Sequence, residues 1–282
     1  MTDNQPTSIL CPNCHRLVSV QAERCLHCGL ARPGAWWKNN PLTRALQHPD
    51  MMWRALIGVN VAMYVISLLL NVGGSLNAVS NPLDWLAPDN SSLLALGATG
   101  AIPIDHLNRW WSLISASYLH GGLLHLAFNM FALRQILPLI VGEYGPSRAF
   151  VIYTLTGVMG FAVSYWAGIP LTIGASASLC GLIGAALYFG KSRGGTYGTV
   201  IYRQIGGWAI SIFVFGFLIP GINNWAHGGG MAAGVLCGYW LDYQERLSER
   251  LWHRLLASVC VVLTAGVLAW ALAMGLLVRS WM

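Results

Sequence analysis

Long apolar runs alternate with short charged segments along most of this chain. Asp, Glu, Lys and Arg are absent from residues 55–70, 110–133, 149–190, 204–241 and 255–278. A membrane-spanning helix needs about 20 residues, so the runs at 149–190 and 204–241 are each long enough for two helices. Gly and Pro predict the intervening turns at residues 168–170 and 220–221. The pattern predicts seven helices.

The composition supports the same fold class. Charged residues make up 9% of the chain and hydrophobic residues 55%, whereas soluble domains carry roughly 25% charged residues. The runs are too long and too uniformly apolar for barrel strands, so we expect an all-α polytopic membrane protein. The net charge of +6 does not indicate nucleic-acid binding, because the charges lie between apolar runs instead of forming one basic face.

The positions of Lys and Arg predict the orientation. With a cytoplasmic N-terminus, only Arg109 and Arg279 of the 16 Lys and Arg residues would lie on the outer side. This bias is typical of a bacterial plasma (inner) membrane protein. The first 50 residues contain no apolar segment followed by a cleavage site, so we expect no removable signal peptide.

Two Cys-x-x-Cys pairs mark a separate N-terminal unit, predicted at residues 1–33. Four thiolates at this spacing can close a tetrahedron around zinc, and the predicted ligands are Cys11, Cys14, Cys25 and Cys28. Disulfides are the alternative, but a cytoplasmic location keeps thiols reduced. We expect a short zinc ribbon with a structural zinc ion, followed by an interfacial linker at 34–52. A cytoplasmic partner for the ribbon and simple anchoring of the N-terminus both remain open.

Several polar side chains lie inside the apolar runs. They are Ser176, His227, His125, Asn129 and His120. Polar and titratable groups within a bilayer are costly and commonly mark a function. His125 and Asn129 are four residues apart and share a helix face, whereas His120 would point about 140° away and brace the outer loop. A hydroxyl, an imidazole and further hydrogen-bond donors are the components of an acyl-transfer site.

Ser176 and His227 have neighbours that suit such a site. A helix is predicted to begin near Gly174, which places Ser176 in the first turn, where free N–H groups favour developing negative charge. Ser178 is expected only to pack. His227 precedes a stripe of small residues that would let another helix approach closely, namely Gly230, Gly234 and Gly238.

These motifs together resemble those of the rhomboid family of intramembrane serine proteases. The resemblance covers residues 53–243 and rests on His120-x4-His125-x3-Asn129, Gly174-Ala-Ser176-Ala and Ala226-His227-Gly-Gly-Gly230-x3-Gly234. It implies a rhomboid-like catalytic membrane domain of six helices, here followed by a seventh transmembrane helix at 255–278. The chain departs from the usual family pattern at Ser112, Ala177 and Cys180.

The resemblance also implies a mechanism that needs no cofactor. His227 would act as general base for Ser176, and the Ser176 N–H, His125 and Asn129 would hold the oxyanion. The substrates would be transmembrane helices of other proteins, reached within the lipid bilayer at a site open to the outer side.

The same polar residues allow other functions. A rhomboid-like protein that binds membrane helices without cutting them is the alternative function. A transporter or channel is a weaker one. Zinc and aspartyl membrane proteases are disfavoured, because the chain has no His-Glu-x-x-His motif and no Asp in the predicted spans.

Overall fold

The computed structural model describes residues 7–12, 16–39, 50–70 and 86–280. The chain divides into two compact units, residues 1–54 and 55–282. Cys14 and residues 40–49 of the predicted linker lie outside the described residues. The narrower domain boundaries expected from the sequence stay predictions.

The N-terminal unit is built on a two-stranded antiparallel sheet. Strand β1 (Ser8–Leu10) pairs with β2 (Leu17–Ser19), and Ile9 faces Val18 in the register. A short helix, α1, covers Trp36–Asn39. Val18 packs in a small core with Cys11 and Cys25, both of which are almost fully buried. The cysteines therefore occupy the centre of this unit, where larger apolar side chains would otherwise lie.

The second unit is almost entirely helical. Its described residues contain a π-helical turn at Ile102–His106 and a 3-10 turn at Ala116–Tyr118. The described α-helices are α2 (Met51–Leu69, which begins in the first unit), α3 (Asn90–Ala95), α4 (Ser112–Ser115), α5 (Leu123–Tyr144), α6 (Pro146–Trp166), α7 (Ser176–Arg193), α8 (Gly195–Leu218), α9 (Asn224–Leu241) and α10 (Leu251–Ser280).

Five of the described helices are long and apolar enough to cross a membrane. They are α2, α5, α6, α8 and the part of α10 at Leu251–Leu277. Helices α7 and α9 have 18 residues each and carry the Ser, His and Gly positions singled out above. The chain is therefore a multi-pass helical membrane protein, as the sequence predicted.

One predicted span has different bounds in the structure. Residues 112–118 form short helical turns, and α5 begins only at Leu123, after Gly121 and Gly122. The helix then continues past Arg134 and includes Glu143, so the charge-free run was a poor guide to its limits. Glu143 accepts a hydrogen bond of 2.6 Å from the Tyr197 hydroxyl, which explains how a carboxylate is held near the helix end.

Helices α7 and α9 pack backbone to backbone at the centre of the bundle. A Cβ atom added at Gly230 would collide with the carbonyl of Ala177, and one at Gly234 would collide with the carbonyl of Gly181. On the α7 side, a Cβ atom added at Gly184 would likewise collide with the carbonyl of Met231. Because side chains would separate these helices, the glycine stripe is what permits the contact.

The last helix, α10, packs on the core through one narrow face. It contacts α3, α4 and α6. Its buried positions fall at helical spacing and, after His253, are mostly small residues: Ala257, Cys260, Thr264, Ala271 and Gly275. The other faces of α10 expose large apolar side chains such as Val262 and Leu263, as expected for a helix that faces lipid.

The segment that precedes α10 caps helix α6. Glu249 accepts hydrogen bonds from the Ser147 N–H (2.8 Å), the Ser147 hydroxyl (3.1 Å) and the Arg148 N–H (3.3 Å). The Arg148 side chain is fully buried and donates from Nη1 to the carbonyls of Leu241 and Asp242. This polar cluster joins the start of α6 to the end of α9.

We expect Glu249→Ala to destabilise the folded protein by about 1–2 kcal/mol, because the first turn of α6 loses its cap. Thermal unfolding of the full chain in detergent micelles measures the change. Glu245→Ala is the matched control, since its ion pair with Arg193 at 2.7 Å is partly solvent-exposed and should matter less. Equal losses in both variants would contradict the capping role.

Candidate active site

The segment that leads into Ser176 is held by hydrogen bonds on two sides. Thr172 and Thr99 exchange backbone hydrogen bonds of 2.7 and 3.1 Å, which form an isolated antiparallel bridge. The Gly174 N–H donates to the carbonyl of Ala116 at 2.8 Å. A short, irregular segment is thereby fixed immediately before the predicted nucleophile.

Ser176 is the first residue of α7 and is partly exposed. Residue Ala175 is the N-cap, and its carbonyl accepts the first helical hydrogen bond from Leu179. The N–H groups of the first turn therefore have no partner within the helix, and they give this end a partial positive charge. Ser178, two residues later, is fully buried against Gly157, in agreement with a packing role.

His227 lies in the first turn of α9 and is 7% exposed. The side chain of Asn223 caps this helix by accepting a hydrogen bond of 3.1 Å from the Ala226 N–H. Among the described residues, Nδ1 of His227 has no hydrogen-bond partner. The described part of the chain therefore supplies no carboxylate to this nitrogen, and a serine and a histidine are the candidate reacting pair.

The neighbours of Ser176 and His227 pack against one another. Ala177 and Ala226 belong to one core cluster. A Cβ atom added at Gly160 of α6 would lie 2.6 Å from the Ala226 carbonyl oxygen and 3.0 Å from the Ala177 methyl carbon. Gly160 therefore leaves room for both chains at once. The first turns of α7 and α9, and with them Ser176 and His227, belong to the same end of the helix pair.

His125 faces this region from α5. Its Nδ1 accepts a hydrogen bond from the Gly121 N–H at 3.3 Å, so Nε2 carries the proton of the neutral ring. A Cβ atom at Gly174 would lie 2.8 Å from Nε2 of His125 and 3.7 Å from Oγ of Ser176. His125 Nε2 and Ser176 Oγ therefore both border the space beside Gly174.

Asn129 and His120 accompany His125 in different ways. The Asn129 side chain is buried one turn further along α5, and its Nδ2 donates to the His125 carbonyl at 2.9 Å. That nitrogen carries a second hydrogen. His120 lies before the helix, and its ring packs edge-on against His125 with centroids 5.0 Å apart. The expected 140° separation was wrong, because the Gly121–Gly122 turn breaks the helix between the two residues.

All three residues that depart from the family pattern are buried. The Ala177 methyl group fills the space opposite Gly160. The Ser112 hydroxyl is buried and donates to the Thr99 hydroxyl at 2.9 Å. Cys180 is buried in α7.

Sequence reasoning missed Asn223. Its side chain joins α9 to Ser164 and Thr172 through hydrogen bonds of 2.6 and 3.0 Å. The signal was available in part, since an Asn that immediately precedes a predicted helix is a preferred N-cap residue. The two additional partners depend on the tertiary fold and could not be inferred from spacing.

The site combines a serine hydroxyl at a helix N-terminus, an imidazole beside it and further N–H donors. A family model described as the rhomboid domain matches residues 107–244. These residues form a rhomboid domain. The matched region includes α4 to α9, and within the described residues α2 and α10 flank this rhomboid domain.

Known rhomboids share sequence with this chain over most of its length. Rhomboid protease GluP of Bacillus subtilis (strain 168) is 29% identical over 213 residues, which are 74% of this chain and 38% of that protein. RHOMBOID-like protein 1 of Arabidopsis thaliana is 28% identical over 206 residues, 66% of this chain and 51% of that protein. The chain therefore spans about two-fifths to one-half of the length of these relatives.

One rhomboid relative is named as inactive. Inactive RHOMBOID-like protein 8 of Arabidopsis thaliana is 32% identical over 176 residues, which are 60% of this chain and 48% of that protein. The family therefore includes both proteases and members without activity. What this chain does has to be argued from its own site.

We expect Gly174→Ala to slow labelling of Ser176 by a fluorescent serine-directed phosphonate by about 10²-fold or more. The new methyl group would lie against Cε1 and Nε2 of His125 and displace a donor whose loss costs about that much. Gel fluorescence after timed labelling measures the rate.

Gly168→Ala is the matched control for that substitution. Gly168 also has a positive φ of 73°, but nothing lies within 4 Å of the added carbon. The control should label at close to the normal rate. Equal slowing in both variants would attribute the effect to backbone strain and contradict the steric argument.

Proposed function

We propose that this protein is an intramembrane serine endopeptidase that cleaves transmembrane helices through a Ser176–His227 dyad. The observation that carries the proposal is the packing of the first turns of α7 and α9 around Gly160. This packing supports a dyad in which Ser176 and His227 act together. Among the described residues, no carboxylate bonds to Nδ1 of His227. The rhomboid domain and the name of the Bacillus subtilis relative support the same reaction class.

The reaction follows from the roles of the two groups. His227 takes the proton from the Ser176 hydroxyl, and Oγ attacks the carbonyl carbon of the scissile peptide. The tetrahedral intermediate collapses when His227 returns the proton to the leaving amine, which leaves an acyl-enzyme. Water, deprotonated by His227, then attacks the ester and releases the new carboxyl end together with the serine hydroxyl.

The developing oxyanion needs donors on the side of His125. The backbone N–H of Ser176, Nε2–H of His125 and the second Nδ2 hydrogen of Asn129 are the proposed donors. The bond from Gly121 to Nδ1 of His125 supports the tautomer that donates from Nε2. Each such donor contributes about 10²–10³ to the rate in other acyl-transfer enzymes.

The substrate class follows from the surroundings of the site. Helices α5 and α8 expose large apolar side chains such as Phe128, Phe131 and Phe217, which suit contact with lipid. A peptide that reaches Ser176 sideways from the bilayer is itself a membrane helix. Its backbone carbonyls are hydrogen-bonded and resist attack, so residues that weaken a helix near the cut, such as Gly or Pro, should favour cleavage.

We place the N-terminus in the cytoplasm and the active site near the outer face of a bacterial plasma membrane. The excess of Lys and Arg on the side of the membrane that would hold the N-terminus supports this orientation. Lys191 and Arg193 lie at the end of α7 opposite Ser176, which agrees with a serine near the outer face.

A rhomboid that binds membrane helices without cutting them is the second candidate. The relative named as inactive is the observation that favours it. Both proposed reacting groups are present here, which favours the protease. The two functions differ in one measurement, the cleavage of a bound transmembrane substrate.

We expect the protein, reconstituted in liposomes, to cleave a labelled single-span substrate, and Ser176→Ala and His227→Ala each to abolish cleavage. The physical reason is the loss of the nucleophile or of its base. Electrophoresis of the labelled fragments measures the products. A serine-directed phosphonate should inhibit the reaction.

Ser178→Ala is the matched control, because it removes a hydroxyl two residues away that only packs against Gly157. It should retain cleavage. Cleavage that persists in Ser176→Ala, or that a metal chelator stops and a phosphonate does not, would refute the serine mechanism.

We further propose that the N-terminal unit binds one structural zinc ion. The sulfur atoms of Cys11, Cys25 and Cys28 all lie within 4.8 Å of one another, and those of Cys11 and Cys28 are 3.6 Å apart. A tetrahedral site with Zn–S bonds of about 2.3 Å separates its sulfurs by about 3.8 Å, so the cluster fits this ion. Cys14 is the proposed fourth ligand.

We expect about one zinc ion per chain by elemental analysis of the purified protein, and its loss when Cys11→Ser and Cys14→Ser are combined, since two of four thiolates are then missing. Cys237→Ser, in α9, is the control and should leave the zinc content unchanged. An unchanged zinc content in the double variant would reject the assignment.

A further inference from the structure

We propose that Asn223 is a positioning residue that sets the geometry between His227 and Ser176. The inference rests on the proposed function. In this proposal, the Asn223 amide joins α9, which carries His227, to the segment that leads into Ser176. The family motifs do not include this residue, and its place before a helix indicates only a capping role.

Asn223 fixes the first turn of α9 with two acceptors. Its side-chain Oδ1 accepts from the Ala226 N–H at 3.1 Å, and its main-chain carbonyl accepts from the His227 N–H at 3.1 Å. These bonds hold the backbone of His227 and of the residue before it. Any shift of Asn223 therefore moves the imidazole.

The Nδ2 group of the same amide bonds to the segment that precedes Ser176. Nδ2 donates to the Thr172 hydroxyl at 3.0 Å and to the Ser164 hydroxyl at 2.6 Å. Both acceptors are buried. Thr172 lies four residues before Ser176 and is fixed by its backbone bridge to Thr99. The amide thus connects α9 to the end of α6 and to the segment that enters α7.

An ordinary capping role would not need this arrangement. Asp and Ser cap helices about as well as Asn, because a cap requires only an acceptor. The contacts with Thr172 and Ser164 require the second polar atom of the amide, Nδ2, and the single hydroxyl of a Ser side chain provides no such second atom. The two halves of the amide can therefore be separated by substitution, which makes the positioning role testable apart from helix capping.

The first experiment compares Asn223→Ser with substitutions of Thr172. Asn223→Ser keeps an acceptor for the cap and removes the group that bonds to Thr172 and Ser164, whereas Thr172→Val removes only one of its two partners. We expect each to lower kcat for a labelled transmembrane substrate by about 10- to 100-fold with little change in KM, because misplacement by about 1 Å can cost 10²-fold. Thr172→Ser retains the hydroxyl and should restore the rate.

Matched controls use the same chemical changes elsewhere. Thr199→Val alters an exposed threonine of α8 whose hydroxyl donates to the Gly195 carbonyl. Asn90→Ser alters an exposed asparagine at the start of α3. Both should keep the normal kcat. A normal kcat in Asn223→Ser, or equal losses in Thr172→Val and Thr172→Ser, would overturn the proposal.

A second measurement does not depend on activity. Hydrogen exchange followed by mass spectrometry should show faster exchange of both segments 170–176 and 223–228 in Asn223→Ser and in Thr172→Val, and of neither in Thr199→Val. Faster exchange of 223–228 alone would mean that Asn223 only caps α9, and would overturn the proposal. If the native protein cleaved nothing, the proposed protease function would fail, while the exchange data would still decide whether Asn223 joins the two segments.

Discussion

The structure depends on the direct contact between the backbones of α7 and α9. Gly230 and Gly234 lie on the carbonyls of Ala177 and Gly181, with no side chain between the two helices. Cα–H groups in direct contact with carbonyl oxygens attract them weakly, and the dense packing contributes dispersion energy along the whole interface. A bulkier residue at either glycine would separate the helices, and Ser176 and His227 would separate with them.

This contact also explains why the polar groups can be kept inside an apolar bundle. The bilayer offers no water to a hydroxyl or an imidazole, so each has to be placed next to another polar group or at a helix end. Ser176 lies at the start of α7, and Nδ1 of His125 accepts a hydrogen bond from the Gly121 N–H. The tight contact between the glycine faces of α7 and α9 keeps the first turns of these two helices, with Ser176 and His227, at one end of the pair.

Local signals were sufficient for the fold class and for the polar candidates. Charge-free runs predicted the membrane helices, and spacing placed Asn129 on the face of His125. The same signals failed at residues 110–133, because a run without charges does not show where a glycine pair breaks the helix. The link from Asn223 to Thr172 joins residues far apart in sequence, and so does the bridge between Thr99 and Thr172. Such pairs follow from the tertiary arrangement, which periodicity does not encode.

The link between α9 and α10 has a practical consequence for shortened versions of this chain. Removal of everything after Leu241 would take away more than the final lipid-facing helix, because Glu249 and the Asp242 carbonyl would go with it. The guanidinium of Arg148 would lose a partner, and the start of α6 would be left uncapped. A truncation that ends after residue 250 retains both groups, so only that boundary isolates what the terminal helix itself contributes.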